Sequence, residues 1–515
     1  MFRSIRFGDL HSQSRTKVMT QAPQKKIWMS FRVWVALNVA VGFMSLSLAA
    51  RAESPRYNIL MIISDDLTAE SLGCYGNTQC QTPHIDALAK RGLQLNRAYC
   101  QFPICGPSRA ALMSGTYAQC VGVTGNGTAN QFSRWMGNRP SMSQYFRRHG
   151  WTASRISKIY HMRVPGDITK GVAGPDHPES WDETWNAHAP EWMTKGKATH
   201  LSREKLKMDP DGHYNLGFGG AFYVVKGEDP DGTRQADVMA ADQAIRALET
   251  YNDQPFFLAV GLVRPHVPLV APASYFDHYP RGDMQVPEVP KDDWKDIPES
   301  GISKNSQKSG LTTRAKKQDT IAAYYACVEF MDAQVGRILD RLEELKLDEK
   351  TIVIFTSDHG YHLGEHDLWQ KMSLHEESTR IPIIMTVPGK EAGISDSLAQ
   401  QIDLYPTLAE LNGLDIPDHV QGQSFAPLFD EPHRKIHDSV YCLRGRDHLI
   451  RTPNWAFIQY RGGEAELYDM RRDPKQFTNR IDHPEAEKVK AHHARLLEEK
   501  LKQIEAAKLT PPSSP

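Results

Sequence analysis

Tyr57-Asn-Ile-Leu-Met-Ile-Ile-Ser-Asp-Asp66 is a short, unbroken apolar run that ends in two adjacent acids. A strand with one wet face would alternate apolar and polar residues. A continuous run predicts a strand covered on both faces, as inside a parallel sheet. Two further runs repeat the arrangement. Phe256–Val263 leads straight into Arg264-Pro265-His266-Val267-Pro268, and Thr351–Ser357 into Asp358-His359-Gly360. Three buried strands that each deliver polar residues at their C-terminal ends predict one rim of one sheet, where α/β proteins keep their chemistry. Alone, Asp65 and Asp66 read as a solvated strand end or a helix cap. Adjacent carboxylates repel, however, and a cation that both can ligate removes that penalty.

The neighbouring segments fill out a large α/β domain. Thr82-Pro83-His84 opens a helix with Ile85, Leu88 and Ala89 inward, ended by Gly92. Helical spacing returns over 233–251, over a long amphipathic stretch from Ile321 to Leu345, and over 402–411, with a further strand at Ile381–Val387. Residues 166–232 are rich in Gly, Pro, Trp and charge without a sustained period, which predicts long loops with scattered short elements, an insertion that shapes a substrate cleft. Residues 281–319, with Pro287, Pro290 and Pro298, predict an exposed loop. Beyond a connection near Pro427–His437, short strands at Ser439–Leu443, Asp447–Arg451 and Trp455–Tyr460 precede a charged helix over 484–507. That order predicts an antiparallel sheet with a packed helix. The expected division is a leader over 1–52, a large domain over 53–430 and a small one over 431–515.

With 515 residues, 40% of them hydrophobic, the chain can bury a large core. A net charge of −1 argues against a nucleic-acid binder. Lys25 and Lys26 precede an apolar stretch from Val33 to Ala49 that ends Ala50-Arg51-Ala52, the order of a secretory signal. This predicts export with cleavage after Ala52 and no lasting membrane span. A retained anchor is the competing reading, for which the run is short. Met19 and Met29 are alternative starts. Seven cysteines are an odd number, so one set aside leaves six, which an oxidising compartment can pair in 15 ways.

Cys105-Gly-Pro-Ser-Arg-Ala-Ala-Leu-Met-Ser-Gly115 is the stretch that carries chemistry. Cys105 alone reads as buried filler or half a disulfide, and Pro107-Ser108 as an ordinary helix start. The same helix start turns N–H groups toward an anion beside Cys105, and Arg109 adds a permanent cation. Lys158-Ile159-Tyr160-His161 places a lysine and a histidine three residues apart, on one helix face or in one turn. His266, between two prolines, is held rigidly enough to serve as a positioned donor.

Cys105-Gly-Pro-Ser-Arg109, continuing to Leu112 and Gly115, resembles the C-x-P-S-R-x-x-L-x-x-G signature of the type I sulfatases. Ile63-Ser64-Asp65-Asp66, Lys158 with His161, Arg264 to Pro268, and Asp358-His359-Gly360 through Gly364-Glu365-His366 to Lys371 extend the likeness. With Glu466-Leu467-Tyr468-Asp469 and Asp473-Pro474, they resemble the iduronate-2-sulfatase-like branch of the alkaline phosphatase superfamily. The resemblance implies an α/β/α sandwich with a large mixed, mainly parallel sheet, and a smaller C-terminal domain with an antiparallel sheet and a helix. It implies that a formylglycine-generating enzyme oxidises Cys105 to formylglycine (3-oxoalanine), whose hydrate is the nucleophile. One calcium ion would be held by Asp65, Asp66, Asp358 and His359, with residue 105 as a further ligand. Many sulfatases carry asparagine where this chain has His359. Imidazole is softer than calcium prefers, so His359 either ligates the ion or lies beside it. Calcium and Arg109 would lower the cost of an oxyanion on the hydrate, Lys158, Lys371 and His266 would balance charge on the sulfuryl group, His266 or Lys371 would protonate the leaving oxygen, and His161 would assist release of sulfate. The implied substrate is a sulfated carbohydrate, with 2-O-sulfated uronic acid residues the expected class. Choline sulfatases and formylglycine-dependent phosphonate monoester or phosphodiester hydrolases share much of the site. An inactive carbohydrate-binding homologue would keep the fold without calcium or the modified cysteine.

Overall fold

β1 (Asn58–Asp65), the run quoted first, lies in the middle of an eight-stranded sheet. A computed structural model describes residues 56–202, 222–251, 254–302 and 309–511; the leader read over 1–52 lies outside them. The sheet also contains β2 (Leu93–Tyr99), β3 (Thr152–Ser157), β4 (Glu183–Trp185), β7 (Phe256–Pro265), β9 (Thr351–Ser357), β12 (Arg380–Thr386) and β13 (Gly393–Gln400). Their order is β13-β2-β12-β9-β1-β7-β3-β4. β12 is antiparallel to both of its neighbours, and every other pairing in the sheet is parallel. A mixed, mainly parallel sheet is what the unbroken apolar runs predict.

Both faces of β1 are covered. Ile59, Met61 and Ile63 enter one core with Phe257, Ala259, Ile352 and Ile354. That layer includes helices α2 (Cys105–Ser114), α3 (Met142–Arg148) and α6 (Leu404–Leu411). Leu60 and Ile62 point the other way, with Leu258, Val260, Val353 and Phe355, toward α1 (Pro83–Lys90), α4 (Ala236–Thr250) and α5 (Arg314–Glu344). The result is an α/β/α sandwich. Thr82 does not cap α1 with its side chain. The carboxylate of Asp332, from α5, instead accepts the amide N–H groups of His84 and Ile85 at 3.1 and 2.8 Å. An acid from a packed neighbour does here what a local cap does elsewhere.

The stretch read as loops carries several short strands, β4 among them. β5 (Gly196–His200) and β6 (Tyr223–Gly227) pair with β8 (Leu269–Pro272) as a small separate sheet. A two-stranded hairpin joins β10 (His362–Leu363) to β11 (Trp369–Gln370). Near the C-terminus, β14 (Val440–Arg444), β15 (Asp447–Arg451), β16 (Trp455–Gln459) and β17 (Ala465–Asp469) form an antiparallel meander followed by α7 (Glu487–Ala506). β17 was legible in the sequence only as a motif, not as a strand. Tyr441, Leu443, Ile450, Phe457 and Leu467 of this sheet share a core with Leu497 and Ile504 of α7, and with Phe102, Ala111 and Tyr117 around α2. Among the described residues no helix is long and apolar enough to cross a membrane, and all seven cysteines are unpaired.

Candidate active site

Four adjacent parallel strands, β9, β1, β7 and β3, end on one rim. They deliver Asp358 and His359, Asp65 and Asp66, His266, and Lys158 respectively. β2 runs the same way, and the chain beyond it returns as α2, whose first residue is Cys105. Two bends at the rim are strained. Asp66 (φ 65°) and Ser157 (φ 57°) lie in the left-handed region that residues with a Cβ rarely occupy. The Asp66 bend is held on both sides: its N–H donates to Asp358 Oδ1 at 3.2 Å, and its carbonyl accepts the Tyr324 hydroxyl at 2.6 Å. The Ser157 bend folds Lys158 back over β7 at Gly261. A Cβ there would lie 2.1 Å from the Lys158 carbonyl oxygen. Glycine in the middle of that strand is therefore a condition for placing Lys158.

The side chains singled out in the sequence meet around Cys105. Its Sγ lies 3.5 Å from His359 Nε2, 3.8 Å from Lys371 Nζ and 4.0 Å from Asp66 Oδ1. Arg109 is fully buried and bonds Asp358 Oδ2 through Nε at 2.9 Å and Asp65 Oδ1 through Nη2 at 3.3 Å. Its remaining nitrogen donates to the carbonyls of Lys158 and Ile159. Lys158 bonds Asp65, and Lys371 Nζ lies 2.6 Å from Asp66 Oδ2. His266 presents Nε2 at 3.7 Å from Asp66 Oδ2. His161 is buried at the same rim, where Lys158, Asp65, Arg109 and Lys371 all act on its charge, and its Nδ1 has no hydrogen-bond partner.

These contacts fix the charge states. Burial opposes ionisation of Asp65, but Lys158, His266 and Arg109 outweigh it and hold the carboxyl well below its usual range. Burial likewise opposes the Lys371 ammonium, and Asp66 together with Cys105 and Asp65 more than offsets it, so Lys371 stays charged. For His266, burial and then Lys371 favour the neutral ring; for His161, burial and then Lys158 do the same. The Cys105 thiol is pushed well up by burial and by Asp65, so unaltered it is a poor nucleophile.

The donor set fits a hard divalent cation. Ligand atoms of Asp65, Asp66, Cys105 and His266 lie within 4.8 Å of one another, and so do those of Cys105, Asp358 and His359. Three of these residues offer carboxylate oxygens. His359 Nδ1 lies 2.9 Å from the Gly360 carbonyl, which leaves Nε2 facing Asp66 and Cys105. The first group includes His266, which the sequence suggested as a proton donor rather than a ligand.

Several supporting residues gave no local signal. Gln401 donates to the Ser357 carbonyl and accepts from Ser108 Oγ, both at 2.8 Å, tying α2 to the end of β9. The loop bearing Lys371 contains His366, Asp367, Gln370 and Met372 at positive φ. It is pinned by buried pairs at 2.9 Å: His366 with Asp293, and His375 with Glu466 of β17. The C-terminal sheet thus helps to hold a residue of the rim.

The sulfatase family model matches residues 57–414, and the model for the C-terminal part of N-sulphoglucosamine sulphohydrolase matches residues 364–506. A sulfatase of Formosa agariphila is 31% identical over 83% of each chain. Iduronate 2-sulfatase of Homo sapiens is 30% identical over 76% of each. Among solved structures, a protein in complex with its substrate D-glucosamine-2-N,6-O-disulfate superimposes with a TM-score of 0.69, over 88% of this chain and 98% of that one. At 21% identity, that likeness speaks for the fold alone.

Proposed function

The chain belongs to the sulfatase family and hydrolyses sulfate esters, and on that premise we propose that it acts on a sulfated carbohydrate through a formylglycine made from Cys105, beside one calcium ion. The observation that carries this reading is the convergence of three carboxylates and three cations on Cys105 at a single rim. Asp65, Asp66 and Asp358, with His359, would hold the ion. The three acids face Arg109, Lys158 and Lys371, and burial holds the Asp66 carboxyl above its usual range, so the protein's own site carries no negative surplus. A sulfate monoester brings one negative charge, and a divalent cation gives the site a positive surplus to receive it.

Formylglycine supplies a hydrated aldehyde as the oxygen nucleophile, and bound calcium supplies Lewis-acid stabilisation of negative oxygen. The chain's own residues do the rest. Arg109 fixes the carboxylates of Asp65 and Asp358. Lys158 and Lys371 keep ammonium groups beside the reacting centre, where charge gathers on the sulfuryl oxygens. Lys371, or His266 once a proton is on its Nε2, passes a proton to the departing sugar oxygen, and His161 takes one as sulfate is released.

The relative at 30% identity is an iduronate 2-sulfatase, and this supports a 2-O-sulfated uronic acid residue as the substrate. Export to the periplasm or beyond, as the leader order suggests, would bring the enzyme to such polymers. The test begins with protein made beside a formylglycine-generating enzyme. Mass spectrometry of the peptide containing residue 105 should show loss of sulfur and two hydrogens and gain of one oxygen. Unmodified cysteine in fully active protein would overturn the mechanism. A panel of 2-O- and 6-O-sulfated sugars, aryl sulfates and phosphate diesters then assigns the substrate. Preference for a diester with a matched leaving group would overturn the sulfate-ester reading.

A further inference from the structure

On the reading above, His266 is, with Lys371, one of the two groups that can give a proton to the departing oxygen, and in that role the imidazole must be held at one angle. We propose that the buried pair Glu191–Arg264 is the positioning device for His266, and this rests on that reading. Arg264 is 1% exposed. Its Nη2 bonds both oxygens of Glu191, at 2.7 and 2.6 Å, and its Nη1 bonds the carbonyl oxygens of His266 and Pro268, each at 2.9 Å. The guanidinium thus grips the backbone on either side of Val267. The Val267 carbonyl is the group that His266 Nδ1 meets, at 2.5 Å. With Nδ1–H donating there, Nε2 is the atom that faces the rim and Asp66, and the proton the ring gives up is the second one, carried on Nε2 by the imidazolium. Asp237, at the start of α4, secures the approach by accepting the N–H groups of Val263 and Arg264 at 2.7 and 3.0 Å.

Glu191 shows that the arrangement is held against resistance. It is fully buried and sits at φ 49°, in the left-handed region. A buried carboxylate and a strained backbone are both unfavourable unless the surroundings over-determine them. Glu191 belongs to the long segment at 166–232 that the sequence left without a readable role. An ion pair serving only to fasten that segment to the domain would need no bonds to the turn. Arg264 makes two, and they flank the residue that orients the ring.

Two variants test this. Glu191→Gln keeps the shape and one acceptor; Arg264→Lys keeps the charge but cannot bond two carbonyls and a carboxylate from one planar fork. Rates are measured over aryl sulfates whose phenols become steadily poorer leaving groups. The expected result is a fall in kcat of about 10- to 100-fold for the poorest leaving groups. The best leaving groups, which need little protonation, should lose much less, with KM nearly unchanged. Added to His266→Gln, Glu191→Gln should cost nothing further, because both changes remove one function. Equal losses across the series, or full additivity with His266→Gln, would overturn the proposal. So would a crystal structure of Glu191→Gln with the His266 ring in its original place. That last readout needs no activity. A wild-type enzyme silent on every sulfate ester would sink the catalytic reading, while the ring position would still decide this one.

Discussion

Gly261→Ala is the substitution whose consequence the structure specifies most closely. The new methyl group would lie 2.1, 2.3 and 2.7 Å from the carbonyl oxygen, carbonyl carbon and amide nitrogen of Lys158, where ordinary contact begins at 3.4 Å. These are backbone atoms, so no rotamer change relieves the overlap. The oxygen also accepts a hydrogen bond from Arg109. Relief needs a shift of roughly 1 Å in either β7 or the Lys158 segment, and overpacking of this kind costs about 1–3 kcal/mol. A move of Lys158 breaks its bond to Arg109 and draws its ammonium from Asp65. Misplacement by about 1 Å in an active site can cost ~100-fold in rate. Gly261→Ala should therefore lower kcat/KM on an aryl sulfate by about that factor, with a melting temperature only a few degrees down. Gly127→Ala, where a Cβ meets nothing within 4 Å, is the control and should be nearly silent. Wild-type kcat/KM in Gly261→Ala, with Lys158 still on Asp65 in its crystal structure, would refute the reasoning.

Two other outcomes follow from the same contacts. Calcium at 100 times its dissociation constant should raise stability by about 2.7 kcal/mol, read as a higher melting temperature that chelator reverses. Asp358→Asn should abolish both the shift and turnover, and an unchanged calcium shift in that variant would remove Asp358 from the metal site. Burial pushes the Asp332 carboxyl up to about 7, despite the amides of Ile85 and His84. The folded state then holds this proton more tightly than the unfolded chain does. Its contribution is full below about pH 4 and is lost as pH rises toward 7, by at most about 1.4 kcal/mol per unit. Asp332→Asn should flatten stability over that window, and denaturant titrations with parallel slopes for both proteins would contradict it.

The sheet was legible because strands buried on both faces cannot afford alternation, and Asn58–Ser64, Phe256–Val263 and Thr351–Ser357 show none. Their parallel pairing then puts Asp65, His266 and Asp358 on one rim without any further information. Lys158 was less legible. The spacing of Lys158 and His161 allowed a helix or a turn, and what decides the matter is a left-handed bend at Ser157 over a glycine on another strand. The glycine itself was visible, interrupting an otherwise bulky run, and such a gap marks a close backbone approach.

What the sequence did not carry is the set of partners that hold these groups still. Asp332 to Ile85, Gln401 to Ser108, Glu466 to His375 and Glu191 to Arg264 join residues 73 to 293 positions apart. No periodicity or cap signal links such positions, because each bond exists only after the layers have packed. The same fact bears on how the chain divides. A boundary near residue 430 follows the change from parallel to antiparallel strands, yet Glu466 beyond it holds the loop of Lys371 through His375, and Tyr441 and Phe457 share a core with Phe102 and Ala111 beside Cys105. Removing residues 431–515 would strip an apolar face from α2 and leave His375 buried without its acid, which is strongly destabilising. The small sheet is thus part of the support of the rim, and the site extends as far as the bonds that hold it.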